Sequence, residues 1–288
     1  MAVLRNRPFR CINLNGRLMD MGGRMIMAII NITPDSFYAG SRISSAEMLE
    51  EKVAVALKDG AEIIDIGGYS SRPGAGVVSE KDEIERVLWA LEIIRKKFGD
   101  IPVSVDTFRS GVIREVISGF GSCIVNDITS GEADSGMLEL VGKYNLPYIA
   151  MHMRGMPDTM QSLANYEDVT KEVISYFIGK MQLFKEYGVE QVILDPGFGF
   201  AKTTEHNFEL LRNLGQFKIF DVPLLVGVSR KSMVCRTLGV TPADALNGTT
   251  AIHWEALRGG ANILRVHDVK EAKEVITLFE AFAGAGEN

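Results

Sequence analysis

Short apolar runs alternate with longer helical stretches along most of this chain. The runs are MIMAIIN ending at Asn31, EIIDIGG closing at Gly67, PVSVDT at Asp106 and CIVND at Asn126. They continue with PYIAMH at His152, VILD at Asp195, PLLVGVS around Gly227 and ANILRVH at His267. Near-continuous apolar stretches of this length fit strands buried on both faces. Between them, residues 45–59, 80–98, 166–187 and 241–259 carry helical spacing. Ser45 and Thr241-Pro242 read as helix starts, and Gly60 and Gly188 as stops. Ahead of the alternation, Asn15-Gly16 joins two short mixed runs, a strong signal for a tight β-hairpin. This hairpin, spanning residues 9–24, is expected to lie outside the main repeat and to cover one end of the core.

Eight strands, each followed by a helix, predict an α/β fold of the (β/α)8 TIM-barrel class. The alternative is an open doubly wound sheet, which needs fewer strands and usually carries G-x-G-x-x-G in its first turn. The first turn here, NITPDSF, has no such motif. Nothing linker-like interrupts the alternation, so residues 1–288 read as one domain. With 288 residues, 46% of them hydrophobic, the chain can bury a core of that size. A net charge of −6 argues against broad nucleic-acid or anionic-membrane surfaces. Three scattered cysteines, Cys11, Cys123 and Cys235, fit a reducing compartment and offer no metal cluster. No stretch resembles a signal peptide or a membrane span, so a cytoplasmic location is expected.

Barrel enzymes build their sites at the carboxyl ends of the strands. The polar residues at these ends are Asn31, Asp106, Asn126, His152, Asp195, Lys231, Arg265 and His267. The stretch VILDPGFGFAK, residues 192–202, is the most informative: a buried strand delivers Asp195 into a loop. There Gly197 and Gly199 permit backbone angles or close approaches that a side chain would obstruct. Asp106, Asn126 and Asp195 supply acceptor oxygens and Lys231 a donor, a set suited to a heterocycle edge with several N–H groups, such as a 2-amino-4-oxo pyrimidine. Each also has a plain structural reading as a cap or loop residue, but three at equivalent positions favour a shared site.

A second group is cationic. Arg72 sits in the loop GYSSRPGAG, and Arg265 and His267 alternate on the last strand, which aims both one way. With Asn31 they suit a diphosphate and a divalent ion, for which one amide oxygen is an adequate protein ligand. Taken alone, Arg72 reads better as a solvated loop residue. His206 and His253 lie in helical patterns and read as structural, while His152 has no clear role.

NITPDSF, GYSSRPGA, SVDT, VND, MHMRGMP, DPGFGFAK, GVSRKS and RVHDV occur in the order found in dihydropteroate synthases, and the chain resembles that family over residues 25–270. Two positions depart from the family pattern: Tyr69 replaces a usual acid, and Ala201 a frequent glycine. The resemblance implies condensation of 6-hydroxymethyl-7,8-dihydropterin diphosphate with p-aminobenzoate in folate synthesis. It implies pterin contacts from Asp106, Asn126, Asp195 and Lys231. Diphosphate and Mg2+ would fall to Asn31, Arg72, Arg265 and His267. Ser71, Pro73, Phe200, Lys231 and Ser232 would line the aminobenzoate pocket. It also implies a homodimer and a pocket of the kind that sulfonamides target.

The dihydropterin can delocalise positive charge on its methylene, so an SN1-like path needs no nucleophilic side chain. Asp35 could lie near that cation or could simply be a turn residue. Two other classes remain. An aldolase-like barrel would form a Schiff base at Lys231, and a non-catalytic pterin binder would not need a diphosphate grip.

Overall fold

The computed structural model describes residues 11–32, 42–69, 78–156 and 159–285 of the chain. Asp35, Ser71, Arg72 and Pro73 lie outside these residues. The hairpin forms first, with β1 (Cys11–Leu14) and β2 (Arg17–Asp20) paired antiparallel. Asn15 and Gly16 both take positive φ, 52° and 79°, the twist that a two-residue turn between right-handed strands requires. Asn13 Oδ1 accepts from Gly16 N–H at 2.9 Å and fixes the turn.

Eight parallel strands follow: β3 (Met25–Asn31), β4 (Ile63–Gly67), β5 (Val103–Asp106), β6 (Ile124–Asp127), β7 (Tyr148–Met151), β8 (Val192–Asp195), β9 (Leu225–Val226) and β10 (Ile263–Val266). Their order in the sheet is β8-β7-β6-β5-β4-β3-β10-β9. One bridge, Leu194 to Leu224, brings the two edges together and closes the barrel. Strand parity then sorts the side chains. Ile64, Ile66, Val105, Val125 and Leu264 face outward to the helices. Met27, Ile63, Ile124, Ile149, Ile193, Leu225 and Ile263 face inward and meet Ile12, Leu14, Met19 and Met21 of the hairpin. The hairpin is therefore the plug of the barrel's amino-terminal end, and the opposite end is left for chemistry.

The helices carry their own start and stop signals. In α2 (Glu80–Phe98) the Ser79 hydroxyl accepts from Asp82 N–H, and acids lead while bases trail along the helix dipole. In the helix Thr204–Arg212, Thr203 and His206 form a capping box, so His206 is structural as expected. Three starts differ from expectation; the helix expected from residue 166 begins at Val169, where the Asp168 side chain caps it by accepting from Lys171 N–H. The helix assigned to Ser45 spans Arg42–Lys58. Thr241-Pro242 opens a single 3-10 turn, Pro242–Asp244, before the helix proper at Leu246–Gly259. Among the described residues, no helix is long and apolar enough to cross a membrane.

Candidate active site

A cavity of about 340 Å³ opens at the carboxyl ends of the strands, and Asn31, Asp106, Phe200, Lys231, Ser232, Arg265 and His267 all line it. Asn126 and Asp195 lie buried beside it on β6 and β8. The sequence thus places its acceptors and its described cations at one mouth, from six different segments of chain.

Arg265 is the centre of the floor. Its Nε donates to Asp65 Oδ2 at 2.8 Å and its Nη2 to Asp106 Oδ2 at 2.7 Å. Arg265, whose sequence position points to the anion-binding group, thus also joins the two acids. Asp65 was not singled out at all. It sits in the middle of an apolar run, but it shares the inward face with Ile63 and Gly67, and that parity was the available signal. Burial pushes the Asp106 carboxyl up to about 7 against the pull of Arg265, with Asp65 adding repulsion. Burial also raises Asp195, although the Lys231 ammonium opposes it.

Lys231 reaches the site because of the residue before it. Arg230 takes a left-handed φ of 54° and is locked by a two-pronged pair with Asp268, both bonds at 2.8 Å. That bend sends Lys231 back over the cavity, where Nζ donates to the Phe198 carbonyl and lies 4.7 Å from the Phe200 ring centroid. Burial lowers its pKa to about 8, while Asp195 opposes the shift. Just past the end of β10, His267 Nδ1 meets Ser229 Oγ at 3.0 Å, and Ser229, which no sequence motif marks, lines the cavity as well.

The glycine loop behaves as its sequence suggested. A Cβ on Gly197 would stand 1.9 Å from the His152 carbonyl oxygen, and one on Gly199 would stand 3.1 Å from Lys231 Cδ; both residues also have positive φ. Lys202, buried beneath the loop, donates to the carbonyls of Gly197 at 3.0 Å and Phe200 at 3.1 Å. Its third donor meets His152 Nδ1 at 2.9 Å, which gives His152 the role it had lacked. Burial and the neighbouring Lys202 drive the His152 pKa down to about 2, so the neutral ring is free to accept.

Both departures from the family pattern have a physical account. Tyr69 lines the cavity, packing edge-on against Phe108 at 5.4 Å with the Arg109 guanidinium 5.7 Å from its ring centroid. Arg109 in turn pairs with the buried Glu83 at 2.6 Å. Ala201 has a φ of 47°, which explains why glycine would suit it. That backbone costs an L-residue about 1–2 kcal/mol. Against this, its buried methyl packs with Met151, Met153 and Met160 and is worth ~0.8 kcal/mol. Glycine would also add ~0.5–1 kcal/mol of chain entropy to be lost on folding. Ala201→Gly is therefore expected to fall within about 1 kcal/mol of the parent by denaturant unfolding. A much larger loss would mean that the methyl supports the Phe200 wall.

A model described as "Pterin binding enzyme" matches residues 27–267 of this chain. The chain is 42% identical over 275 residues to dihydropteroate synthase of Escherichia coli strain K12, covering 95% of this chain and 96% of that protein. Its fold superposes on the Yersinia pestis dihydropteroate synthase solved with a sulfonamide drug complex. That match has a TM-score of 0.88 and 38% identity, covering 95% of this chain and 99% of that one. The Thermus thermophilus enzyme solved with 4-aminobenzoate gives a TM-score of 0.82 at 36% identity, covering 94% and 99%.

Proposed function

Because this chain belongs to the dihydropteroate synthases, a family of pterin-binding enzymes, we propose that it joins 6-hydroxymethyl-7,8-dihydropterin diphosphate to p-aminobenzoate, yielding 7,8-dihydropteroate and diphosphate. The observation that carries the reading is the pairing of acceptors Asp106, Asn126 and Asp195 with the cations Lys231 and Arg265 on one barrel floor. Asn31 and His267 stand at the rim of the same cavity.

In this reading Asp195, Asp106 and Asn126 accept the ring N–H groups, and Lys231 donates to its carbonyl or ring nitrogen. Heterolysis of the methylene–oxygen bond sends the electron pair out with diphosphate, and the dihydropterin spreads the positive charge left behind. The amine lone pair then forms the new carbon–nitrogen bond, and its surplus proton leaves to solvent. Arg265, His267 and Arg72 stabilise the departing anion. Asp35 is assigned to the neighbourhood of the cation. Phe200, Lys231 and Ser232, with Ser71 and Pro73, form the aminobenzoate pocket.

Magnesium fits the donor set. Asn31 ends β3 and presents a hard amide oxygen at the cavity. Among the described residues there is no cluster of three His, Cys, Asp or Glu side chains able to cage a metal. An ion held by Asn31, waters and the substrate's phosphates is the arrangement magnesium favours. When bound it would neutralise charge on the leaving group.

The chain is read as one cytoplasmic catalytic domain that functions as a homodimer. The exposed Leu278 and Phe282 on the last helix supply apolar surface for a second copy.

Mixing the two substrates with enzyme and magnesium should release diphosphate, and a sulfonamide should suppress the reaction in competition with aminobenzoate. The lowered pKa of Lys231 keeps a Schiff-base alternative in view. Borohydride reduction with a carbonyl substrate would then trap a covalent adduct at Lys231. No diphosphate release together with such an adduct would replace the present reading.

A further inference from the structure

Asp65 carries a charge in the interior of the barrel with its side chain fully enclosed, and its cationic partner is Arg265. Both Nε and Nη2 of Arg265 reach Asp65 Oδ2, at 2.8 and 2.6 Å. Nη2 also reaches Asp106 at 2.7 Å. The two acids differ in access, because the Asp106 side chain is 20% exposed and lines the cavity, whereas that of Asp65 is 0% exposed. The Asn126 carboxamide adds a third link, its Nδ2 lying 3.4 Å from each Asp65 oxygen. An ionised carboxylate only accepts, so it turns the amide's donor edge toward itself and leaves the Oδ1 edge for other partners.

We propose that Asp65 is a positioning residue, the fixed half of a two-carboxylate hold on Arg265, whose other half, Asp106, lets go when a donor-rich ring binds. This rests on the reading of the floor as a pterin site. A ring N–H needs the Asp106 oxygen that Arg265 uses in the empty cavity. If Asp106 were its only anchor, the guanidinium would compete with the ring. With Asp65 beneath it, Arg265 stays on the floor through Nε while Asp106 turns to the ligand. The same carboxylate fixes the amide of Asn126 with its acceptor available. Asp65 thus keeps the acceptors free and the cation in place at once.

The first test is calorimetry with a pterin that lacks the diphosphate, across pH, on wild type and Asp65→Asn. The charges that act on Asp106 come from Arg265 on β10, Asp65 on β4, Glu83 on α2, Asp127 on β6 and Lys231 in the loop after β9. In the variant Arg265 falls to Asp106 alone and a like charge is gone. Bare pterin is expected to bind about tenfold more weakly at pH 7, and the midpoint of its acid limb to move to lower pH. A purely structural role would lower thermal stability and leave that midpoint where it was, which would overturn the proposal. The second test needs no variant: a crystal structure of wild type with bare pterin. The Nε–Asp65 contact should persist while Nη2–Asp106 opens beyond hydrogen-bond distance. Retention of Arg265 on Asp106, with Asp65 released, would also overturn it. Failure of wild type to bind bare pterin would remove the site reading and this inference together. Binding with the Asp106 contact unbroken would remove the inference alone.

Discussion

Arg265→Met is expected to destabilise the protein by roughly 3–5 kcal/mol at pH 7, the usual cost of removing one partner from a buried ion pair. The substitution leaves Asp65 and Asp106 on the barrel floor without their shared cation. The loss should depend on pH in a defined direction. Asp106 binds its proton more tightly in the folded state, near 7, than at its ordinary value of 3.8. Its contribution is therefore fully present below about pH 4 and disappears as pH rises through 7. Arg265 pulls that folded value down, so removing the arginine moves it higher still. The deficit of the variant should be smaller at pH 5, where the acids can take up protons, and larger at pH 8. Urea unfolding at the two pH values measures this. A deficit independent of pH would show that lost packing of the arginine stem, rather than stranded charge, dominates.

Asp195→Asn carries the second large effect, this time on binding. The variant has nearly the same shape but exchanges one acceptor oxygen for a donor. Gly197 N–H already binds Asp195 Oδ1 at 2.8 Å, which fixes that oxygen toward the loop. The other oxygen is left for a ligand, so an amide must sacrifice either the loop bond or the ligand bond. Bare pterin should bind more weakly by roughly 1.5–3 kcal/mol, the worth of a hydrogen bond to a charged group. Calorimetry with bare pterin on wild type and variant at one pH measures this. Unchanged affinity would take Asp195 out of the pterin contacts.

The barrel was legible in the sequence because its strands are buried on both faces and end in polar residues. Asp106 and Asp195 end their strands, and Asn126 and His267 lie within one residue of a strand end, so counting strand ends locates all four. Asp65 escaped because it lies within a strand, where the apolar run hides it and only inward parity exposes it. Lys202 escaped for a different reason: its partner His152 is 50 residues away, and no local pattern announces a lysine that hydrogen-bonds carbonyls under a loop. The role of Arg230 was also hidden, since it depends on a positive φ and on Asp268, the residue that caps the last helix. Local sequence specifies which face a residue takes more readily than which distant group it will meet.

The barrel's closure has a further consequence. Between β8 and β9 the sheet is joined by a single bridge, Leu194 to Leu224, beside a bond from Leu194 N–H to the Pro223 carbonyl at 3.0 Å. This is the least laced seam of the cylinder, where transient breathing would begin. Asp195 ends the strand on one side of it, and Lys231 follows the strand on the other. A pterin gripped by both would act as an extra rung across the gap. Part of its binding free energy would then appear as slower amide exchange along β9, in backbone the ligand itself does not contact.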